Sequence, residues 1–578
     1  MFVHLHTHSY YSLLDGVSSP EELILAAKKH KMKALALTDH NALYGAVEFF
    51  RLAKEYNIKP IIGAELTLDD KSKLVLLVKD DSGYRNLCLL ISTGQLEGGH
   101  LGFQLNLKTI FKHKEGLIVL SGGPKGRINQ LLGKRNLEDA SAYVRQMQSV
   151  FGADFYLELQ HFEANDTLIN LRLRDLSAEN KIPLVATNNV HFVSIKDWHL
   201  RRTLHAIDTN TVLEKITSAG SSEQYLKSAE QMHDLFSTFS TALSNTRRIA
   251  AACNFEYKLG QPVFPSLQLP ENESSFSWLW KKSFEGAAER YKPLTRQVTA
   301  RLQYELNTIH DLGFAEYFLI VKDIVDYCHR ESIPCVGRGS AADSLVSYCL
   351  QITQVDPIRH NLYFERFLNP ERSDPPDIDI DLCWKNRDDV ITYVYDKFGR
   401  DRTAMICTFN TFQSRSAIRD VAKTYGLPED EIGKITKHLP HRPIDQIEEA
   451  VNTLPELREL RHNLSLYEEI MRIAGRIADF PRHLSIHPGG VIIAPDKLTY
   501  HAPLEIAGKG IVIAQYDMYS IEKLGLVKMD LLGVRSLSII TDCIRAVTAE
   551  ADKHKGRSFS GKGVPDFFFK NSNTLSPL

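Results

Sequence analysis

The stretch Asp374-Pro375-Pro376-Asp377-Ile378-Asp379-Ile380-Asp381 decides how the chain is read. In a β-strand, side chains two residues apart share a face. Asp377, Asp379 and Asp381 therefore stand together, and Ile378 and Ile380 point the opposite way, into a core. Carboxylates this close repel one another unless a cation lies between them. Hard carboxylate oxygens suit Mg²⁺. The alternatives are a solvated strand or a calcium loop. A helix–loop–helix calcium loop takes glycine at its sixth position and glutamate at its twelfth. Counted from Asp377, those positions hold Leu382 and Asp388, and neither fits. The pattern points to metal-dependent phosphoryl chemistry, which also calls for a third carboxylate and a phosphate cradle.

Upstream, residues 332–336 read as a short strand, Gly337-Arg338-Gly339-Ser340 as a loop, and 341–348 as a helix start. A glycine loop feeding a helix N-terminus turns backbone N–H groups toward a phosphate. Arg338 adds a planar fork. Most loops of this kind are only turns. Downstream, residues 524–533 read as another strand, with Lys528 and Asp530 on one face and Val527, Met529 and Leu531 on the other. Lys528 is either a salt-bridge partner or, beside two metal ions, a grip on a triphosphate.

The chain has 578 residues, 43% hydrophobic and 24% charged, which suits several soluble globular domains. A net charge of −2 excludes a global basic field, so any nucleic-acid surface must be local. Eight cysteines without a Cys-x-x-Cys pair argue for reduced thiols rather than a disulfide framework or a structural zinc site. No signal pattern opens the chain, and no apolar run approaches the ~18 residues of a membrane span. A cytoplasmic protein is expected.

The first ~200 residues alternate strand and helix. Strand candidates are 2–6, 34–38, 60–66, 73–79, 116–121, 155–160 and 183–187; helical patterns include 20–29, 43–56 and 168–180. Such alternation predicts a parallel sheet with helices outside. Candidate ligands after strand ends favour a barrel over an open sheet. His6 and His8 share a face, and Asp15, Asp39, His40, Glu65 and His191 fall near other strand ends. A single buried histidine is ordinarily a core residue; this set has the make-up of a metal site.

Long motifs then carry a resemblance: Phe364-Glu365-Arg366-Phe367-Leu368-Asn369-Pro370-Glu371-Arg372, Pro376 through Asp381, His487-Pro488-Gly489-Gly490-Val491-Ile492-Ile493-Ala494-Pro495 and Lys528-Met529-Asp530. In this order they closely resemble the bacterial DNA polymerase III alpha subunit family (C-family DNA polymerases), over residues 1 to about 546. The stretch Ala186-Thr187-Asn188-Asn189-Val190-His191 resembles the error-prone, damage-tolerance branch more than the main replicase. The resemblance implies an α/β multidomain protein. Its parts are a PHP (polymerase and histidinol phosphatase) domain at 1–250, a (β/α)7-type barrel; a polymerase-β-like nucleotidyltransferase palm, α+β, at 251–410 and 481–546; and an inserted helical thumb at 411–480. Residues 547–578 read as a divergent, disordered tail. Family members continue for several hundred residues, so the chain reads as C-terminally truncated.

The implied activity is DNA-directed DNA synthesis by two-metal phosphoryl transfer. Asp377, Asp379 and Asp530 match the Mg²⁺ ligands, and Arg338, Gly339, Ser340, Arg366 and Lys528 match positions facing the incoming nucleotide. Asp381 matches no ligand. Implied partners are primer–template DNA and deoxynucleoside triphosphates, with the sliding clamp and other replication or mutagenesis proteins for full-length members, and no membrane. His6, His8, Asp15, His40, Glu65 and His191 match the PHP ligands for Zn²⁺ or Mn²⁺. Lys73 stands where a histidine is usual, Gly123 where a cysteine is usual, and Asn189 where an aspartate is usual; Phe162 departs similarly beside His161. These departures predict a degenerate PHP site. The rival readings are a PHP-type phosphoesterase or 3′–5′ exonuclease, and a non-catalytic DNA-binding fragment.

Overall fold

The computed structural model describes residues 2–98, 102–217, 219–265, 267, 269–369, 371, 376–437 and 464–554. Asp374 and Pro375 of the opening stretch, and residues 555–578 of the expected tail, lie outside the described residues; residues 547–554, expected as disordered tail, instead continue helix Arg535–His554. The described residues fall into two compact units. The first joins Met1–Lys258 with Cys407–Ile486 and Thr499–Ser520; the second joins Leu259–Ile406 with His487–Leu498 and Ile521–Leu578.

In the first unit six strands lie in chain order: β1 (Ala34–Leu37), β2 (Lys59–Thr67), β3 (Lys73–Val78), β4 (Leu117–Leu120), β5 (Phe155–Leu159) and β6 (Leu184–Ala186). They read as near-continuous apolar runs because both faces are covered. Val75 and Leu77, then Ile118 and Leu120, alternate into one cluster with Val3 and Leu5, while Leu74 and Leu76 are buried on the other face. Helices such as Pro20–Lys29 cover them. That helix starts at a Ser19/Glu22 capping box with proline in its first turn.

The expectation of a wholly parallel sheet needs correction. β3 runs antiparallel to both β2 and β4. Only residues 68–72 join β2 to β3, too few for the crossover that parallel strands require. Residues 2–6, expected as the first strand, are part of an extended segment, 2–8, that is not a regular strand. Their backbone reaches β1 through Ala36 N to His4 O (3.0 Å) and Thr38 N to Thr7 O (2.8 Å). It reaches the far end through His8 N to Val190 O (2.7 Å) and Val190 N to His6 O (3.0 Å). The N-terminal segment thus hydrogen-bonds to β1 and to the residues just past β6.

Helices Ser414–Thr424, Glu429–Lys437 and Leu464–Ile477 also belong to the first unit. Ala417, Ile418, Val421 and Ala422 form a stripe at helical spacing, packed with Ile473 and Ile477 and with Leu200 and Leu204 of helix Trp198–Asp208.

The later strands are β7 (Cys335–Arg338), β8 (Asp379–Cys383), β9 (Thr403–Thr411), β10 (Pro481–Ile493), β11 (Leu504–Ile506), β12 (Val512–Ala514) and β13 (Val527–Val534). In the second unit β13 lies between the end of β10 and β8, and β7 flanks β8. Ile380, Leu382, Met529 and Leu531 are fully buried, which fixes the faces of β8 and β13. Helices Ser275–Arg290, Arg296–Asp311, Ala315–Arg330 and Arg387–Phe398 complete this unit. Among the described residues, no helix is long and apolar enough to cross a membrane.

Candidate active site and candidate metal centre

Strand register builds the first site. Parallel pairing of β8 with β13 sets Asp379 directly opposite Asp530. Antiparallel β7 sets Arg338 opposite Asp379, and antiparallel β10 sets Gly490 opposite Asp530. One row across four strands therefore reads Arg338, Asp379, Asp530, Gly490. Two like charges face each other at its centre, an arrangement that destabilises a sheet unless something answers it. Asp377, just before β8, adds a third carboxylate. One ligand oxygen from each of the three lies within 4.8 Å of the others.

Asp379 Oδ1 and Asp530 Oδ1 are buried and accept no hydrogen bond. Each such oxygen costs about 1–3 kcal/mol if nothing meets it. Burial, and then the charges of Asp377 and Asp530, push the Asp379 carboxyl above the usual range. Three hard oxygen donors, two of them without partners, fit a divalent cation.

Lys528 is only 10% exposed, with Nζ 3.1 Å from Asp530 Oδ2, 3.6 Å from Asp377 Oδ2 and 3.7 Å from Glu522 Oε1. Burial lowers its pKa, but Asp377, Asp530 and Glu522 outweigh that and raise it. Arg338 Nε lies 3.5 Å from Asp379 Oδ2 and 3.3 Å from Asp381 Oδ1. Asp381 stays outside the three-carboxylate cluster and serves as a partner of Arg338. Arg366 is exposed, its Nε 3.9 Å from Asp343 Oδ2.

The loop after β7 differs from expectation. Gly339–Asp343 is a 3-10 turn, and only the five-residue helix Leu345–Cys349 follows. Ser344 is extended and its Oγ caps that helix, so the α-helix starts after the loop rather than at it. Gly339 has φ +70° and open space around it, so its glycine is needed for backbone conformation, not for room. Ser340 is exposed beside it.

Two supporting groups were not assigned roles from sequence. Tyr317, on helix Ala315–Arg330, accepts a hydrogen bond from Ile378 N at 3.0 Å and so pins the lead into β8. His487 Nδ1 accepts from Gly490 N at 2.6 Å and lies 3.7 Å from Asp530 Oδ1. A Cβ on Gly490 would sit 2.8 Å from that nitrogen, which explains the glycine.

The second site lies in the first unit, and all six expected residues meet there. His6 Nδ1 bonds Glu158 Oε1 (2.7 Å) and His6 Nε2 bonds Glu65 Oε2 (3.0 Å). His40 Nδ1 lies 2.7 Å from Glu65 Oε1 and its Nε2 2.9 Å from Asp15 Oδ2. His191 Nε2 is 3.2 Å from the same Asp15 oxygen. His8 lies against His40 and His191, ring centroids 4.2 and 4.3 Å away, and its buried Nε2 has no partner. Asp39, counted among the candidates, is held elsewhere: it accepts from Ser9 N, Ser9 Oγ and Ser12 Oγ at 2.7–2.8 Å. Glu158 was missed; its signal is one acid in the apolar run of β5.

Two fixed cations occupy this centre. Lys73 Nζ pairs with Glu65 and sits 3.3 Å from His40 Nδ1. Arg201 places Nε and a terminal nitrogen each 2.7 Å from Asp15 Oδ1. Burial favours neutral carboxyls, yet Lys73 and His40 hold Glu65 well below its ordinary pKa, and His191 and Arg201 do so for Asp15. Burial lowers the His6 pKa, but Glu158 and Glu65 overcome it and raise it to about 9. Gly123 itself offers no ligand atom, and a Cβ there would lie 2.6 Å from the end of the Gln160 side chain. His8 Nε2 is a free donor, and ligand atoms of His8, His40 and His191, and of His6, His8 and Glu65, lie within 4.8 Å of one another, while Lys73 and Arg201 already pair with the carboxylates. Elemental analysis of the purified protein is expected to find fewer than two zinc or manganese ions per chain; two or more would overturn this.

Comparison with known proteins bears on both sites. The chain matches the PHP domain family over residues 4–162 and the bacterial DNA polymerase III alpha NTPase domain family over 277–533. It is 40% identical over 567 residues to the error-prone DNA polymerase of Symbiobacterium thermophilum, covering 94% of this chain and 52% of that protein. It is 38% identical to the DNA polymerase III subunit alpha of Borreliella burgdorferi, covering 99% and 51%, and of Bacillus subtilis, covering 95% and 50%. The chain spans about half the length of these curated relatives. By these matches along nearly its whole length, the chain belongs to the bacterial DNA polymerase III alpha family.

Proposed function

We propose that this chain carries the nucleotidyl-transfer site of a DNA-directed DNA polymerase, with Asp377, Asp379 and Asp530 as its metal ligands. The observation that carries the reading is the Asp379–Asp530 pair, set face to face with an unpartnered buried oxygen on each. The relatives named as DNA polymerases support the same reading. The second unit is then the palm; within the first unit, residues 1–250 are a (β/α)7-type PHP barrel closed by residues 2–8, and helices Ser414–Thr424, Glu429–Lys437 and Leu464–Ile477 belong to the thumb.

In the reaction the primer 3′-oxygen forms a bond to the α-phosphorus of a deoxynucleoside triphosphate. The α–β phosphoanhydride bond breaks and pyrophosphate leaves. Asp377, Asp379 and Asp530 would hold two Mg²⁺ ions, which would supply activation of the 3′-hydroxyl and charge neutralisation at the leaving group. Lys528 exchanges its carboxylate partners for triphosphate oxygens. Arg338 and Arg366, both exposed, offer planar forks to the same group. The open turn at Gly339-Ser340 admits phosphate close to backbone.

Primer extension with Mg²⁺ and four nucleotides tests this, on the chain itself and on a fusion to the C-terminal half of the Bacillus subtilis relative. Templated extension that EDTA abolishes is expected from the fusion. No extension, with metal-dependent phosphoester hydrolysis in its place, would favour the PHP phosphoesterase reading.

A further inference from the structure

Glu305 is fully buried on helix Arg296–Asp311 and touches none of the residues placed in the reaction. Its carboxylate is nonetheless saturated. Oε1 accepts from Arg301 Nε at 2.6 Å; Oε2 accepts from Ser344 Oγ at 2.9 Å and Val346 N at 3.0 Å. The Arg301 guanidinium continues outward, donating to Asp343 O at 3.3 Å and Leu362 O at 3.2 Å. Asp343 ends the 3-10 turn that begins at Gly339, and Leu362 leads into the short turn Phe364–Arg366. One ion pair, its carboxylate buried and its guanidinium half-buried, therefore ties together the two segments that carry Ser340 and Arg366.

We propose that Glu305 is a positioning residue for nucleotide binding: through Arg301 and Ser344 it fixes the spacing between the Gly339–Ser340 turn and Arg366, the two groups that grip the triphosphate. This rests on the nucleotidyl-transfer reading above. Removing one partner of a buried ion pair leaves the other charge uncompensated, so the groups that Arg301 and Ser344 hold depend on Glu305. The turn is also anchored by buried Ala341 and Asp343, and Asp343 Oδ2 lies 3.9 Å from Arg366 Nε, so Asp343 lies on both paths between the two segments. The helix after it is five residues long, and Ser340, Gly339 and Arg366 are all exposed. A neutral amide at position 305 keeps the volume but loses the charge for Arg301. It also presents an N–H₂ group where one of three donors now finds an oxygen.

The test measures dATP binding in Ca²⁺ by calorimetry, and Mn²⁺ binding at the carboxylates by electron paramagnetic resonance. Both use the 578-residue chain. Glu305→Gln is expected to weaken dATP binding at least about 10-fold, and the milder Ser344→Ala about 3-fold, with Mn²⁺ occupancy unchanged. A merely structural role would lower both readouts together with thermal stability, and that outcome overturns the proposal. So does dATP affinity within about 2-fold of wild type in both variants. Lys528→Ala separates the two levels. Binding lost there but kept in Glu305→Gln overturns this inference alone. No dATP binding by the wild type overturns the site reading as well.

Discussion

Asp530→Asn is expected to lower templated nucleotide incorporation by about 1,000-fold or more, about 4 kcal/mol of barrier, without unfolding the second unit. The substitution keeps shape and leaves an amide oxygen for Lys528 Nζ, now 3.1 Å from Oδ2. It removes one of two charges that face each other across β8 and β13. Stability should hold or rise, because the like-charge pair is relieved. Activity should fall because the cation site loses its most enclosed carboxylate, 12% exposed against 57% for Asp377. Single-nucleotide incorporation by the fusion protein, read beside a thermal melt, checks both halves. Incorporation within 10-fold of wild type, with the melt unchanged, would remove Asp530 from the chemistry. Asp381→Asn is the internal control: it faces the same way but pairs with Arg338, and its loss should be mild.

The contrast between Asp381 and Asp530 shows what a linear sequence carries. Alternation placed Asp377, Asp379 and Asp381 on one face, and β8 has that face. Alternation says nothing of the neighbouring strand. Asp530 lies 151 positions from Asp379, and only the β8–β13 register brings them together. That partner came from motif order, not from local physics. Glu305 shows the same limit. Its position in an amphipathic helix, four residues after Arg301, reads as a surface i, i+4 pair. Its burial is set by Ser344 and Val346, about forty positions away. The glycine loop was misread for a local reason: a serine able to cap at 344 starts a helix there as readily as the glycine turn does.

In the first unit, Lys73→Met is expected to destabilise the fold by about 3 kcal/mol in EDTA, and to make its stability depend on zinc. Lys73 Nζ is the fixed cation on Glu65, whose side chain is 2% exposed. Methionine keeps the length and removes the charge. Glu65 is then left with His6 and His40 as its partners. The vacated space adjoins His40 Nδ1, Glu65 Oε1 and, beyond them, His8 Nε2, the buried nitrogen that has no partner now. Nitrogen and carboxylate donors around a cation-sized space suit zinc. An ion that binds only the folded state adds about 2.7 kcal/mol at 100 times its dissociation constant. Zinc should therefore return most of what the substitution removed. The wild type should gain little, because its lysine already fills the position. Lys73→Arg, which keeps the charge, should behave as wild type toward zinc. Urea midpoints for the three proteins, with EDTA and with zinc, decide the matter. Equal zinc responses from wild type and Lys73→Met would show that the ammonium does not stand in the place of an ion.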